Sequence, residues 1–129
     1  MANASDDTYT PGVCNIGRAE RKLRWIVGWV GAVATLGVWG WFAYSEAMPA
    51  ARLAIALPAT VSALGFLQAR ARFCVKYGFG GVFSVGPRAG QTESVEDAAF
   101  RKADQQRSLA IVAGAVLVGL AFGAAGYLL

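Results

Sequence analysis

Residues 25–44 read WIVGWVGAVATLGVWGWFAY and contain no charged side chain. Because a helix rises about 1.5 Å per residue, about 20 apolar residues cross the roughly 30 Å hydrocarbon core of a bilayer. Two further apolar runs follow, at residues 53–69 and 109–129. The chain is 56% hydrophobic, above the roughly 45–50% of an ordinary soluble domain. The sequence therefore predicts an all-α integral membrane protein with three transmembrane helices.

The basic residues lie almost entirely on one side of the predicted membrane. Four precede the first apolar run, seven lie between the second and the third, and Arg52 alone lies in the loop between the first two. By the positive-inside rule, the N-terminus and the segment at 70–107 are cytoplasmic, and the C-terminus is extracytoplasmic. We therefore expect a multi-pass protein of a bacterial inner membrane. Its net charge of +4 is expected to face anionic membrane lipid rather than nucleic acid.

Turn and capping signals divide the chain into parts. Pro11-Gly12 is a turn pair that ends the polar N-terminal segment. Ser94 and Asp97 form a capping box, which predicts a polar helix at 95–107 that runs into the third apolar run. The predicted parts are a flexible cytoplasmic tail (1–13), a transmembrane hairpin with a cytoplasmic collar (14–77), a glycine-rich interfacial or re-entrant segment with a linker (78–93), and the polar helix that continues into the third transmembrane helix (94–129).

Two features of the apolar runs predict how the helices pack. Pro58 lies inside the second run, where its missing N–H and its ring are expected to kink the helix. In the third run Ala115, Gly119 and Gly123 recur every four residues, an extended G-x-x-x-G pattern. Small side chains let helix backbones approach closely. We therefore expect this face to contact either the first two helices or another copy of the chain.

The densest group of polar residues flanks the predicted hairpin on its cytoplasmic side, and we call this group the collar. An antiparallel hairpin brings both flanks, and with them Cys14 and Cys74, to the same membrane edge. Basic neighbours favour thiolate chemistry, so the two cysteines are a candidate redox or persulfide pair. The alternative is that both are small apolar packing residues. The collar comprises Asn15, Gly17, Arg18, Glu20, Arg21, Arg24, Arg70, Arg72, Phe73, Lys76 and Tyr77.

Other catalytic chemistries have little support in the sequence. The chain has no histidine, which excludes His-based metal sites, triads and proton relays. Glu20, six residues after Cys14, occupies the position at which a phosphatase or rhodanese loop needs an arginine. Acidic side chains such as Asp104 are expected on a solvated helix, so no acid and base pair forms within the membrane. We expect no enzymatic activity, no cofactor and no metal.

Two short motifs resemble those of a known membrane family. The first is Asn15-Ile16-Gly17 with Glu20-Arg21, Arg24 and Gly28, and the second is Phe73-Cys74 with Tyr77. With an apolar hairpin between these motifs, residues 14–86 resemble the YgaP-like transmembrane domain family. Its members are small two-helix inner-membrane hairpins, found alone or fused to rhodanese-type sulfurtransferase domains. The resemblance implies the fold of the first two helices and a sulfur-handling role for Cys14 and Cys74. It does not cover the third helix, and Val75 stands where the family often has proline.

These observations lead to three hypotheses for the function. The first is a scaffold or accessory subunit that uses the collar to hold a protein partner or further copies of the chain. The second is a membrane-embedded thiol or persulfide relay that serves a sulfurtransferase, with Cys14 and Cys74 as carriers. The third is a small oligomeric channel or transporter built from repeated third helices. No span has an ionisable residue at its centre, which argues against ion-coupled transport.

Overall fold

The structure, a computed structural model, describes residues 8–128 and is mostly helical. Three helical segments, Arg18–Tyr44, Pro49–Ala71 and Ala98–Leu128, are long and apolar enough to cross a membrane. The prediction of three helices of spanning length is confirmed. The elements in chain order are α1 (Arg18–Tyr44), α2 (Pro49–Arg52), a 3-10 turn (Leu53–Ile55), α3 (Ala56–Ala71), α4 (Val75–Gly80), β1 (Val82–Phe83), β2 (Glu93–Ser94) and α5 (Ala98–Leu128).

Helix α3 is the central helix, and both α1 and α5 pack against it. Glycine permits the contact with α1: a Cβ on Gly65 would lie 2.5 Å from the backbone nitrogen of Gly28, and a Cβ on Gly31 would lie 2.7 Å from the Cα of Ser62. The hydroxyl of Ser62 donates a hydrogen bond of 2.7 Å to the carbonyl of Gly28 across this contact. Close backbone approach and hydrogen bonds between helices are what associate helices in lipid, because burial of apolar side chains adds little there.

The small residues of α5 lie against α3 of the same chain. Ala115, Gly119 and Gly123 are all buried. A Cβ on Gly119 would collide with Oγ1 of Thr60 and would lie 2.9 Å from the carbonyl oxygen of Ala56. A Cβ on Gly123 would lie 3.0 Å from the Cβ of Ala56. The face that repeated third helices would need in a channel is therefore occupied within one chain.

The helices define two ends of the molecule. At the turn end, α1 connects to α2, and Nη2 of Arg52 donates to the carbonyl of Tyr127 at 3.4 Å. At the opposite end, which we call the collar end, lie residues 8–17, the starts of α1 and α5, the end of α3, and the segment at 72–97. Between the two ends, large apolar side chains project outward, with Leu36 of α1 72% exposed and Leu117 of α5 67% exposed. This is the kind of surface that a bilayer covers.

Residues 8–13 do not form the predicted flexible tail, and residues 1–7 of that tail lie outside the described residues. The ring of Tyr9 stacks on the ring of Phe83 with centroids 4.4 Å apart. Gly12 has a φ of 71°, a left-handed conformation that favours glycine, and a Cβ on it would lie 3.3 Å from the Cβ of Ala103 in α5. The turn predicted from Pro11-Gly12 therefore packs the segment onto the collar end rather than releasing it into solvent.

The predicted interfacial or re-entrant turn at 78–86 is a small folded cap. Helix α4 extends to Gly80, and Gly81 ends it with a φ of 71°. Strand β1 then pairs antiparallel with β2, with Val82 opposite Ser94. The physical reason is that Gly81 permits the left-handed turn, and the β-prone residues after it find a partner strand that is distant in sequence.

The structure also differs from the prediction at the start of α5. Ser94 belongs to β2, and Asp97 caps the helix instead. Its Oδ1 accepts the N–H groups of Ala99 at 2.8 Å and of Phe100 at 3.2 Å. Aspartate is among the strongest N-cap residues, since its side chain satisfies N–H groups that have no partner within the helix. The helix therefore begins at Ala98, after the position that the Ser94 capping box predicts.

Pro58 lies in the first turns of α3, directly after the 3-10 turn at Leu53–Ile55. In an uninterrupted helix its ring would clash with the carbonyl four residues earlier, and it has no N–H to donate. The interruption predicted for this helix therefore takes the form of a 3-10 turn between α2 and α3.

Candidate functional site

Asn15 is fully buried at the centre of the collar end. Its Nδ2 donates to the carbonyl of Cys74 at 3.1 Å, and its Oδ1 accepts the N–H of Cys74 at 2.7 Å. Its own backbone N–H donates to the carbonyl of Arg72 at 3.1 Å, and its carbonyl accepts the N–H of Ser84 at 2.9 Å. An amide side chain carries both a donor and an acceptor, so it can pair with a peptide group as another backbone would. Asn15 thus joins the N-terminal segment to the α3–α4 connection and to the residue after β1.

The α3–α4 connection positions Cys74 beside α1. Arg72 has φ 55° and ψ 44°, a left-handed conformation that ends α3. The N–H of Phe73 then donates to the carbonyl of Gln68 at 3.0 Å, which satisfies an end carbonyl of the helix. The side-chain Oε1 of Gln68 accepts the N–H of Val75 at 2.9 Å. The turn that carries Cys74 is therefore fixed by the chain's own hydrogen bonds on both sides.

A group of polar side chains connects α1 to α4. Nη2 of Arg24 donates to Sγ of Cys74 at 3.1 Å and lies 3.8 Å from Oε2 of Glu20, one turn earlier on α1. Burial and a hydrogen bond with Glu20 raise the pKa of Tyr77 to about 12. Reactive cysteines typically lie beside a basic group, at positions where reagents can reach the sulfur. Here Cys74 is 2% exposed and Glu20 is 3% exposed, so the sulfur and the carboxylate are closed to solvent, whereas Arg24 and Tyr77 are half-buried.

Cys14 lies at the same end but has different surroundings. Its Sγ donates to the carbonyl of Ile16 at 3.4 Å, a contact that requires the protonated thiol. The residue is buried, and no disulfide joins it to Cys74. The structure therefore brings both cysteines of the predicted pair to the collar end, where Cys74 faces a guanidinium and Cys14 faces a backbone carbonyl.

Asp104 is a site residue that the sequence analysis placed in the wrong environment. It is 0% exposed, not solvated. Its Oδ2 accepts the hydroxyl of Tyr9 and its Oδ1 accepts the N–H of Gly12, each at 2.7 Å. Burial and the contact with Asp104 raise the pKa of Tyr9. Helical spacing is the signal that identifies Asp104, because Asp104, Ser108 and Ile111 continue the buried face of α5.

The remaining collar residues divide into buried supports and a basic rim. Gly17 is buried, and its N–H donates to the carbonyl of Ser84 at 2.8 Å. Phe73 is fully buried and lies against Gly78, where a Cβ would come within 2.8 Å of the Phe73 ring. The rim of the collar consists of the exposed residues Arg18, Arg70 and Lys76 and the half-buried residues Arg21 and Arg72.

The collar end is thus a closed cap with positive charge on its outer surface. Its buried polar groups bond mainly to the chain itself, and its sulfur atoms face inward. Comparisons with protein-family models, with curated proteins and with solved structures find no match to this chain, so the resemblance to the YgaP-like transmembrane domain family stays a prediction.

Proposed function

We propose that the protein is a multi-pass scaffold or accessory subunit of a bacterial inner membrane that holds a partner at its collar end. The observation that carries this proposal is the closure of the collar. Asn15 uses both polar groups of its side chain on Cys74, and Asp104 uses both carboxylate oxygens on the N-terminal segment. Buried side chains whose polar atoms are bonded within the chain, as those of Asn15 and Asp104 are, make a rigid platform. The basic rim around it suits a partner with acidic residues.

The proposed orientation places the collar end in the cytoplasm and the C-terminus outside. Its support is the charge distribution, because every lysine and arginine except Arg52 lies at the collar end. A reporter inserted at Gly90 is expected to be active only in the cytoplasm, and one fused after Leu129 only outside it. The reverse pattern would contradict the orientation and with it the cytoplasmic collar.

The holding role is tested by charge reversal of Lys76 on the rim together with Lys22, a further exposed lysine in the first turns of α1. Lys22→Glu with Lys76→Glu is expected to reduce recovery of a crosslinked partner in mild detergent, with the melting temperature unchanged. Arg88→Glu reverses an exposed charge in the loop between the strands and serves as the matched control. Cys74→Ser should retain the partner if holding needs no sulfur chemistry. The same partner recovery in the rim variant and the wild type would refute the role of the collar.

A thiol or persulfide relay is the second candidate, and the contact between Arg24 and Cys74 favours it. In such a relay the Cys74 thiolate attacks the outer sulfur of a donor persulfide. A persulfide then forms on Cys74, and the donor leaves as its thiolate. Persulfide-specific labelling of the purified protein tests this step. A label that disappears in Cys74→Ser supports the relay, and the absence of label from both cysteines contradicts it.

A further inference from the structure

A groove of about 380 Å³ lies between α3 and α5 near the collar end. Leu67, Ile111 and Gly114 form its apolar part, and Arg70 and Arg107 stand beside them. Gly114 lies beside Leu67, since a Cβ on Gly114 would make an ordinary contact of 3.5 Å with Cδ1 of Leu67. The groove therefore combines an apolar floor with two guanidinium groups.

The two arginines are not compensated by negative charge. Both are exposed, and no acidic residue lines the groove. Within residues 8–128, neither Arg70 nor Arg107 forms an ion pair or a side-chain hydrogen bond. Guanidinium groups are planar donors that match the geometry of a phosphate, so the pair is suited to an anionic ligand.

The order of residues along the helices fits a ligand with one charged and one apolar end. Arg70 directly follows the apolar run of α3, and Arg107 lies two residues before the start of that of α5. Both charges therefore stand at the edge of the apolar region. Leu67 lies about one turn before Arg70, and Gly114 lies about two turns after Arg107, so both lie inside that region.

We propose that this groove binds an anionic phospholipid, with its phosphate between Arg70 and Arg107 and an acyl chain along Leu67, Ile111 and Gly114. Basic grooves between transmembrane helices on the cytoplasmic side bind anionic headgroups in this way. The inference rests on the proposed membrane insertion and orientation. It does not depend on whether the collar holds a protein partner.

The test uses the full chain in non-ionic detergent, with dioleoyl phosphatidylglycerol, dioleoyl phosphatidylcholine and inorganic phosphate as probes. Native mass spectrometry measures bound lipid, and thermal melting measures stabilisation. We expect phosphatidylglycerol to bind and to raise the melting temperature, while the zwitterionic lipid with the same chains does so much less. Equal binding of the two lipids would overturn the proposal. Displacement of phosphatidylglycerol by millimolar inorganic phosphate would also overturn it, because the site would then recognise a free anion.

Paired variants separate this groove from general charge attraction. Arg70→Gln and Arg107→Gln are each expected to weaken phosphatidylglycerol binding about fivefold, the effect of losing one basic contact with an anionic headgroup. Arg88→Gln and Lys102→Gln remove exposed charges outside the groove and should leave binding unchanged. Equal weakening in all four variants would refute the site. Melting without added lipid checks that each variant is folded.

Alkaline extraction of membranes tests insertion separately. A chain that is retained in the membrane but shows no lipid selectivity refutes this inference alone.

Discussion

Individual side chains at the collar end hold distant parts of the chain together through hydrogen bonds. The sequence predicts a binding surface around Asn15, whereas the structure places the side chains of Asn15 and Glu20 inward and leaves Arg18 exposed. The pairing of Tyr9 with Asp104 joins residues 95 positions apart. Local spacing cannot show such a pair, although the position of Asp104 on the buried face of α5 does indicate its burial.

Replacing Asn15 with alanine should destabilise the protein. The variant leaves the N–H of Cys74 without a partner in a buried position, whereas the carbonyl of Cys74 still accepts the N–H of Gly78. A buried polar group without a partner costs about 1–3 kcal/mol, and we expect a loss of this size in the free energy of unfolding. Reversible unfolding in mixed detergent measures it. Gln91→Ala, which removes an exposed amide, is the control. Equal stability of Asn15→Ala and the wild type would mean that Asn15 does not fix the collar.

Ionisation of Tyr77 should weaken the fold at high pH. Burial and the hydrogen bond with Glu20 raise its pKa to about 12, above the value of about 10 expected in the unfolded chain. The contribution of Tyr77 is therefore complete below about pH 10 and is lost as the pH rises toward about 12. We expect the stability of Tyr77→Phe to fall less steeply over this interval than that of the wild type. Tyr44→Phe, at an exposed position, should follow the wild-type curve. Parallel curves for all three proteins would refute the assignment.

At the level of helices, the contact between α3 and α5 depends on the absence of side chains. Gly119→Ile inserts atoms where a Cβ already collides with Thr60 and approaches the Ala56 carbonyl. Overpacking of this kind costs about 1–3 kcal/mol, so unfolding in detergent should occur under milder conditions. Gly37→Ile makes the same change on α1, where a Cβ meets nothing within 4 Å. If Gly119→Ile were no less stable than Gly37→Ile, the packing of α5 on α3 would be wrong.

The long helices were predictable from the sequence, and the connecting elements were not. Length and apolarity are local properties, so 25–44 and 109–129 identified α1 and most of α5. The small folded segment at 78–97 depends on the pairing of β1 with β2, which are separated by a loop. It also depends on whether Ser94 or Asp97 is the N-cap of α5. Serine and aspartate are both good N-cap residues. Because Ser94 pairs in β2, Asp97 caps α5. The pairing of β1 with β2 therefore determines which residue caps α5, a choice that local propensity does not determine.

Over the whole molecule, charge and apolar surface are separated along one axis. The basic residues gather at the collar end, the apolar side chains of α1 and α5 cover the middle, and the turn end has Arg52 alone among lysines and arginines. This separation suits a protein held across a bilayer with one end anchored by anionic lipid. The closed collar gives that end a fixed shape, which a partner can recognise without a conformational change in the chain.

The alkylation rate of Cys74 in native membranes tests the closed collar most directly. A Cys14→Ser background leaves Cys74 as the single reporter thiol. Cys74 is 2% exposed and is covered by Asn15 and Arg24, so we predict slow alkylation that becomes fast only after the protein is unfolded. Alkylation in native membranes as fast as in the unfolded protein would contradict the closed collar and would favour the sulfur relay over the scaffold.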